Sequence, residues 1–198
     1  MNPRVALIIL ALLVASSCGC STRASSPLEA QPVRTNPKAL IAFAESVDAF
    51  HPVDDRVMGG VSRSAMRRSD SGHALFTGTL SLEHNGGFAS VRSCGVELDL
   101  SEEDALILRV RGDGKRYKLR LHDDRLDDVS FQSSFGTEAG VWIEVELPLD
   151  EFRPVWRGRA VPRAKPLDRS RVAMVGLMIS DKQVGEFTLE LDWLAASS

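Results

Sequence analysis

Apolar residues recur along most of this chain at every second position, the interval of a strand rather than of a helix. In Leu106-Ile107-Leu108-Arg109-Val110-Arg111 the even positions are apolar and the odd ones turn basic toward the end, as in a strand with one buried face. The next run repeats the device, with Tyr117, Leu119 and Leu121 on one side and Arg116, Lys118 and Arg120 on the other. Gly112-Asp113-Gly114-Lys115 lies between the two runs, and such a Gly/Asp-rich connection predicts a hairpin. The same period predicts strands near residues 76–82, 88–94, 130–135, 141–147, 172–179 and 186–194. In the last of these, Phe187, Leu189 and Leu191 face inward and Thr188, Glu190 and Asp192 outward. No later segment sustains a capped helical period. Strands spaced by roughly 8–15 residues predict an all-β fold, an antiparallel β-sandwich or jelly roll, with a barrel as the alternative.

The first twenty residues depart from this pattern. Arg4 supplies a positive start, residues 5–15 are uninterruptedly apolar, and Ala15-Ser16-Ser17 precede Cys18. This is the layout of a secretory signal peptide, and a run of about eleven residues falls short of the roughly twenty that a spanning helix needs. The small-small-Cys ending resembles the lipobox of bacterial lipoproteins, which makes Cys18 the candidate lipidation site and Cys20 its rival. Simple cleavage and an uncleaved tail are the alternatives. Residues 21–38 are rich in Ser, Thr, Pro, Ala and Arg, with Pro27, Pro32 and Pro37 spaced to stop regular structure, and read as a flexible tether. Residues 39–196 then form the folded domain, expected on the exported, periplasmic side of a bacterial envelope and held to the membrane by lipid.

Composition narrows the partners. A net charge of −3 and the absence of a long Lys/Arg run exclude the electrostatic footprint of a nucleic-acid binder. Of the three cysteines, Cys94 reads as a small buried residue, and no CxxC or Cys/His set has zinc spacing. No cofactor is expected.

Three Gly-centred clusters carry the most specific information: residues 54–62 (DDRVMGGVS), 85–92 (NGGFASVR) and 111–114 (RGDG). Each serves as a turn, and each glycine also permits positive φ or close backbone approach. Taken in order with the FQSSF segment, a Trp-bearing strand ending in LPLDEF, RGR, and VGLMISDKQVGEFTLELDWL, they resemble the complex I intermediate-associated protein family, from about Ala42 to Ala195. The resemblance implies a galactose-binding-like jelly roll and a non-catalytic role in assembling respiratory complex I. Members usually show Asn-Asp before the MGG run where this chain has Asp54-Asp55, and the exported N-terminus sets the domain across the membrane from the matrix or cytoplasm. The candidate binding residues are Asp54, Asp55, Met58, Gly59, Gly60, Ser62, Asn85, Gly86, Gly87, Phe88, Arg92, Arg111, Asp113 and Tyr117, with Asn85 and Arg92 expected near Met58 and Ser62 on one surface.

The chemistry of the remaining residues points to binding rather than reaction. His51, His73, His84 and His122 have no metal-ligand or HExxH spacing, and no GxSxG elbow occurs. Asp54, Asp55, Asp123 and Asp124 are the candidates by chemistry for a structural Ca²⁺, although no EF-hand spacing exists; Asp127/Asp128 form a further pair of turn carboxylates. Trp142, out of phase with its apolar neighbours, and Trp156, in a loop beside Arg153, Arg157 and Arg159, are the candidates for stacking a sugar. Arg109, Arg111, Arg116, Lys118 and Arg120 crowd the predicted hairpin. Their compensation is expected either from Glu144 and Glu146 on a neighbouring strand or from an anionic partner. A protein partner is the leading expectation and a glycan the alternative.

Overall fold

The computed structural model describes residues 37–125 and 129–198; Cys18, Cys20, the signal-like segment and Asp127/Asp128 lie outside them. The described residues form two antiparallel sheets joined by loops and single 3-10 turns. Thirteen strands follow in order: β1 (Lys38–Ala42), β2 (Phe50–Pro52), β3 (Arg63–Arg68), β4 (Ala74–Leu80), β5 (Ala89–Ser93), β6 (Ala105–Arg111), β7 (Arg116–Asp123), β8 (Ser130–Gly136), β9 (Trp142–Pro148), β10 (Arg153–Trp156), β11 (Arg159–Ala160), β12 (Val172–Ile179) and β13 (Gly185–Ser197). The first sheet runs β3-β4-β13-β6-β9, with β1 also on β13, and the second runs β11-β10-β8-β7-β12-β5-β2.

The period-two pattern decides which side chains meet between the sheets. Tyr117, Leu119 and Leu121 of β7 and Leu189 and Leu191 of β13 are fully buried, with Phe187 at 1% exposure. They join Phe76, Val91, Leu108, Val175 and Leu177 in one continuous core. Such burial is worth roughly 1.5–3 kcal/mol for each large apolar side chain, which drives the sheets together. β13 pairs with β4 through its first half and with β1 through its second, its register against β6 shifting between Leu191 and Leu194.

Two expectations fail at this level. β6 and β7 do not pair: β6 belongs to the first sheet and β7 to the second, so residues 112–115 arch between sheets instead of closing a hairpin. The glycines that suggested a tight turn serve the crossing. Bare Gly112 lies so close to Thr137 that a Cβ would sit 2.3 Å from its Oγ1, and Gly112 bridges Ala139. Strands β1, β2, β3, β10 and β11 go unpredicted because they are short or at edges, or carry mostly polar residues or a proline.

Candidate functional site

The first two Gly clusters are held by two buried carboxylates. Asp55, with no exposure, accepts hydrogen bonds from Ser62 N (3.0 Å), Ser62 Oγ (2.5 Å), Gly87 N (2.8 Å) and Phe88 N (3.4 Å). Asp54, 8% exposed, accepts from Ser64 N (2.9 Å), Ser64 Oγ (2.6 Å) and Ser90 N (3.0 Å). Ser62 Oγ in turn accepts from Ser81 N at 3.0 Å. Carboxylates carry enough acceptor sites for several backbone N–H groups, and charge-assisted bonds are the strong ones. The pair therefore ties the β2–β3 connection to the β4–β5 connection.

This knot explains the glycines around it. A Cβ on Gly60 would lie 2.4 Å from the Asp55 carboxyl carbon, and one on Gly86 would lie 2.6 Å from the Ser81 carbonyl and 2.8 Å from Asp55 Oδ2. Gly59 closes the 3-10 turn Asp55–Met58 at φ +89°, a conformation costly for a side-chain-bearing residue. Fixed on these loops, Met58 (56% exposed), Val61 (40%) and Leu82 (43%) face solvent.

The expected single surface divides into three places. Asp54, Asp55, Gly60, Ser62, Gly86, Gly87 and Phe88 belong to the knot, and Ser62 is fully buried rather than on a surface. Met58, Gly59 and Asn85 stand exposed at its lip. Arg92 belongs to neither, because strand β5 carries it onto the outer face of the second sheet, where it pairs in register with His51.

Arg111, Asp113 and Tyr117 sit at the inter-sheet arch. Asp113 accepts from Lys115 N (3.1 Å), Lys115 Nζ (3.1 Å), Tyr117 Oη (2.9 Å) and Thr188 N (3.1 Å), latching the arch to β13. Burial alone would raise its carboxyl, but these donors outweigh burial and hold it below the ordinary aspartate range. Tyr117 is fully buried, and that burial pushes its hydroxyl well above the usual phenol range. Arg111 gives two N–H groups to Glu190 Oε2 (3.1 and 2.6 Å). Arg111 and Arg109 lie 5.3 and 5.5 Å from the Trp142 ring, whose other neighbour is His73 at 4.7 Å. Trp142 is thus packed among cations on the outer face of the first sheet. Trp156 is the last residue of β10 rather than a loop residue, 42% exposed, with the Arg157 guanidinium 4.9 Å from its ring.

The five crowded cations separate between sheets, so most of the expected repulsion never arises. Arg109 pairs with Asp192 at 3.4 Å, Arg111 with Glu190 at 2.6 Å and Lys118 with Asp181 at 2.8 Å. The acids come from β13 and the loop after β12; Glu144 faces Arg109 only in the β6–β9 register. Arg120 differs from the others, being 7% exposed, with Nη2 donating to Ser130 Oγ and Nε buried without a hydrogen-bond partner. Near it, His51, Val53, Arg92, Ser93, Cys94, His122 and Met174 line a pocket of about 320 Å³. Cys94 is exposed there, against the expectation of burial, because it falls one residue past β5 where strand alternation ends. The two histidines are far apart in sequence, and only strand register unites them.

The four Ca²⁺ candidates are otherwise engaged. Asp54 and Asp55 face N–H and O–H donors, Asp123 accepts from Arg125 and the Asp168 amide, and Asp124 pairs with Arg171 at 3.1 Å. No cluster of three His, Cys, Asp or Glu occurs among the described residues. No helix among them is long and apolar enough to cross a membrane.

Comparison with known proteins adds to this geometry. The profile of the family described as complex I intermediate-associated protein 30 matches residues 41–191. The mitochondrial complex I intermediate-associated protein 30 of Mus musculus is 28% identical over 171 residues, covering 76% of this chain and 52% of the mouse protein. The probable counterpart of Caenorhabditis elegans is 26% identical, covering 68% of this chain and 46% of its own. The chain spans about half the length of these curated relatives. Among solved structures, the family 11 carbohydrate-binding module of a cellulosomal cellulase of Clostridium thermocellum superposes with a TM-score of 0.63 at 14% identity, covering 82% of this chain and 95% of the module. That likeness is one of fold, a jelly-roll sandwich.

Proposed function

The chain belongs to the complex I intermediate-associated protein 30 family, and from that premise we propose that its sandwich is a non-catalytic, assembly-factor-like domain that binds a protein partner. The observation that carries this reading is the lip of the aspartate knot, where Met58, Val61 and Leu82 are exposed on loops fixed by buried carboxylates. Loops already ordered lose little entropy on binding, so their apolar area converts into affinity efficiently. Apolar anchors inside a polar rim are what protein contacts use. The knot carboxylates are occupied by backbone amides, which gives them a structural task rather than acid–base work.

The partner in this reading is a membrane-complex subunit or an envelope protein, met by a domain that Cys18 lipid holds on the exported side of the membrane. Support for the anchor is the N-terminal sequence alone. Photo-crosslinking from positions 58 and 82 in intact membranes tests the contact. The expected adduct is a polypeptide of a membrane complex or the envelope, and the adduct from position 82 is lost in Met58→Asp while the melting temperature stays unchanged. Retained adducts in that variant would refute the lip.

A carbohydrate ligand is the second reading, favoured by half-exposed Trp156 beside Arg157 on a sandwich folded like a carbohydrate-binding module. Glycan binding that disappears in Trp156→Ala would select it.

A further inference from the structure

The outer faces of the two sheets treat their cations differently. On the first, Arg109 and Arg111 each meet a carboxylate of β13. The strands of the second contain one acid, Asp123, which is buried and holds Arg125, and Lys118 on that face finds its carboxylate, Asp181, only in the loop after β12. Outward positions of that sheet carry Arg116, Lys118 and Arg120 on β7 and Arg92 on β5.

Arg120 is the most confined of these. The charge acting on it is that of Arg92, and burial followed by this neighbour presses its guanidinium down to about 10, so it remains a cation at neutral pH. Register places Arg120 and Arg92 on either side of Gly176 of β12. The absent side chain leaves the strand between them bare, and a Cβ there would lie 2.9 Å from the Val91 carbonyl and 3.5 Å from Arg92 Cγ. Arg92, across Gly176 from Arg120, lines an open pocket with His51 and His122; Arg120 itself lies behind that wall.

A buried guanidinium N–H without an acceptor loses both its solvation and its hydrogen bond. Beside a second guanidinium and an open pocket, an acceptor arriving from outside accounts for the arrangement. We propose that Arg120 and Arg92 form a carboxylate-binding site, and that the carboxylate is an acidic side chain of the protein partner. A planar two-oxygen acceptor suits the guanidinium fork. The pocket wall includes no Trp, Tyr or Phe on which a pyranose would stack. The inference rests on the protein-partner reading only for the source of the carboxylate.

The test is calorimetric titration of the full chain with a capped hexaglutamate peptide, and separately with trigalacturonate, at low and moderate salt. The expected result is peptide binding that weakens tenfold or more in Arg120→Gln and in Arg92→Gln. Arg116→Gln, an exposed change on the same strand, should weaken it less than threefold, and salt should weaken it throughout. Unliganded Arg120→Gln should melt no lower than the parent; should it fail to fold, Arg92→Gln carries the test. Absence of peptide binding, equal losses in Arg116→Gln, or a lowered melting point with unchanged binding would overturn the site. Arg120-dependent binding of trigalacturonate without the peptide would overturn the partner class. Peptide binding at this site, alongside crosslinks that are absent from the parent or retained in Met58→Asp, shows that the lip has failed and this site has not.

Discussion

Replacing Asp55 by Asn removes one acceptor from the knot and leaves its shape nearly intact. Oδ2 takes three donors, Ser62 Oγ, Gly87 N and Phe88 N, whereas Oδ1 takes Ser62 N. The least costly orientation keeps the amide oxygen at the Oδ2 position and turns the NH₂ against the Ser62 amide. One charge-assisted bond is then lost, at about 1.5–3 kcal/mol, and a fully buried N–H faces another donor. The sum should be about 3 kcal/mol, equivalent to about 6–12 °C in melting temperature for a domain of this size. Asp55→Ala should cost more, because every donor loses its acceptor. Urea unfolding followed by circular dichroism measures the loss. A change below about 1 kcal/mol in Asp55→Asn would refute the view that this carboxylate organises both loops.

Gly60→Val should destabilise by about 1–3 kcal/mol because its Cβ must displace the Asp55 carboxyl, and an unchanged urea midpoint would contradict the close approach. Asp113 has a folded pKa below its unfolded value, so it contributes stability above the unfolded pKa that is lost as pH falls through the folded one. Asp113→Asn should therefore flatten the acid limb of the parent's stability profile below about pH 4. Tyr117→Phe should cost about 1 kcal/mol by removing the hydroxyl donor to Asp113, measured by the same unfolding curves. Cys18→Ser should remove the protein from the membrane fraction; unaltered fractionation and migration would place the anchor elsewhere.

The inward residues of β7 and β13 were legible because strand alternation records burial directly. Legible too were the glycines at 59, 60 and 86, because left-handed backbone and contact with a carboxyl restrict the residue type. Sheet membership was not, since Gly112-Asp113-Gly114 serves a hairpin or an arch equally well and the choice depends on Thr137 and Thr188, distant in sequence. Arg120 illustrates another limit: an Arg at an outward strand position reads as solvated, and only the neighbouring strands bury it. The approach of His51, Arg92 and His122 follows from the register of β2, β5, β12 and β7, which no motif encodes.

The placement of β13 has a consequence for how the chain is made. It lies between β4 and β6 in the middle of the first sheet and also takes β1, yet it is the last strand of the order. Until residues 185–197 leave the ribosome, β4 and β6 have no strand to join them, and the core lacks Phe187, Leu189 and Leu191. Closure must then bridge long sequence separations, which is the slow step of all-β folding. The first sheet accordingly cannot close before residues 185–197 emerge, and until then its alternating apolar strands remain accessible to a holdase.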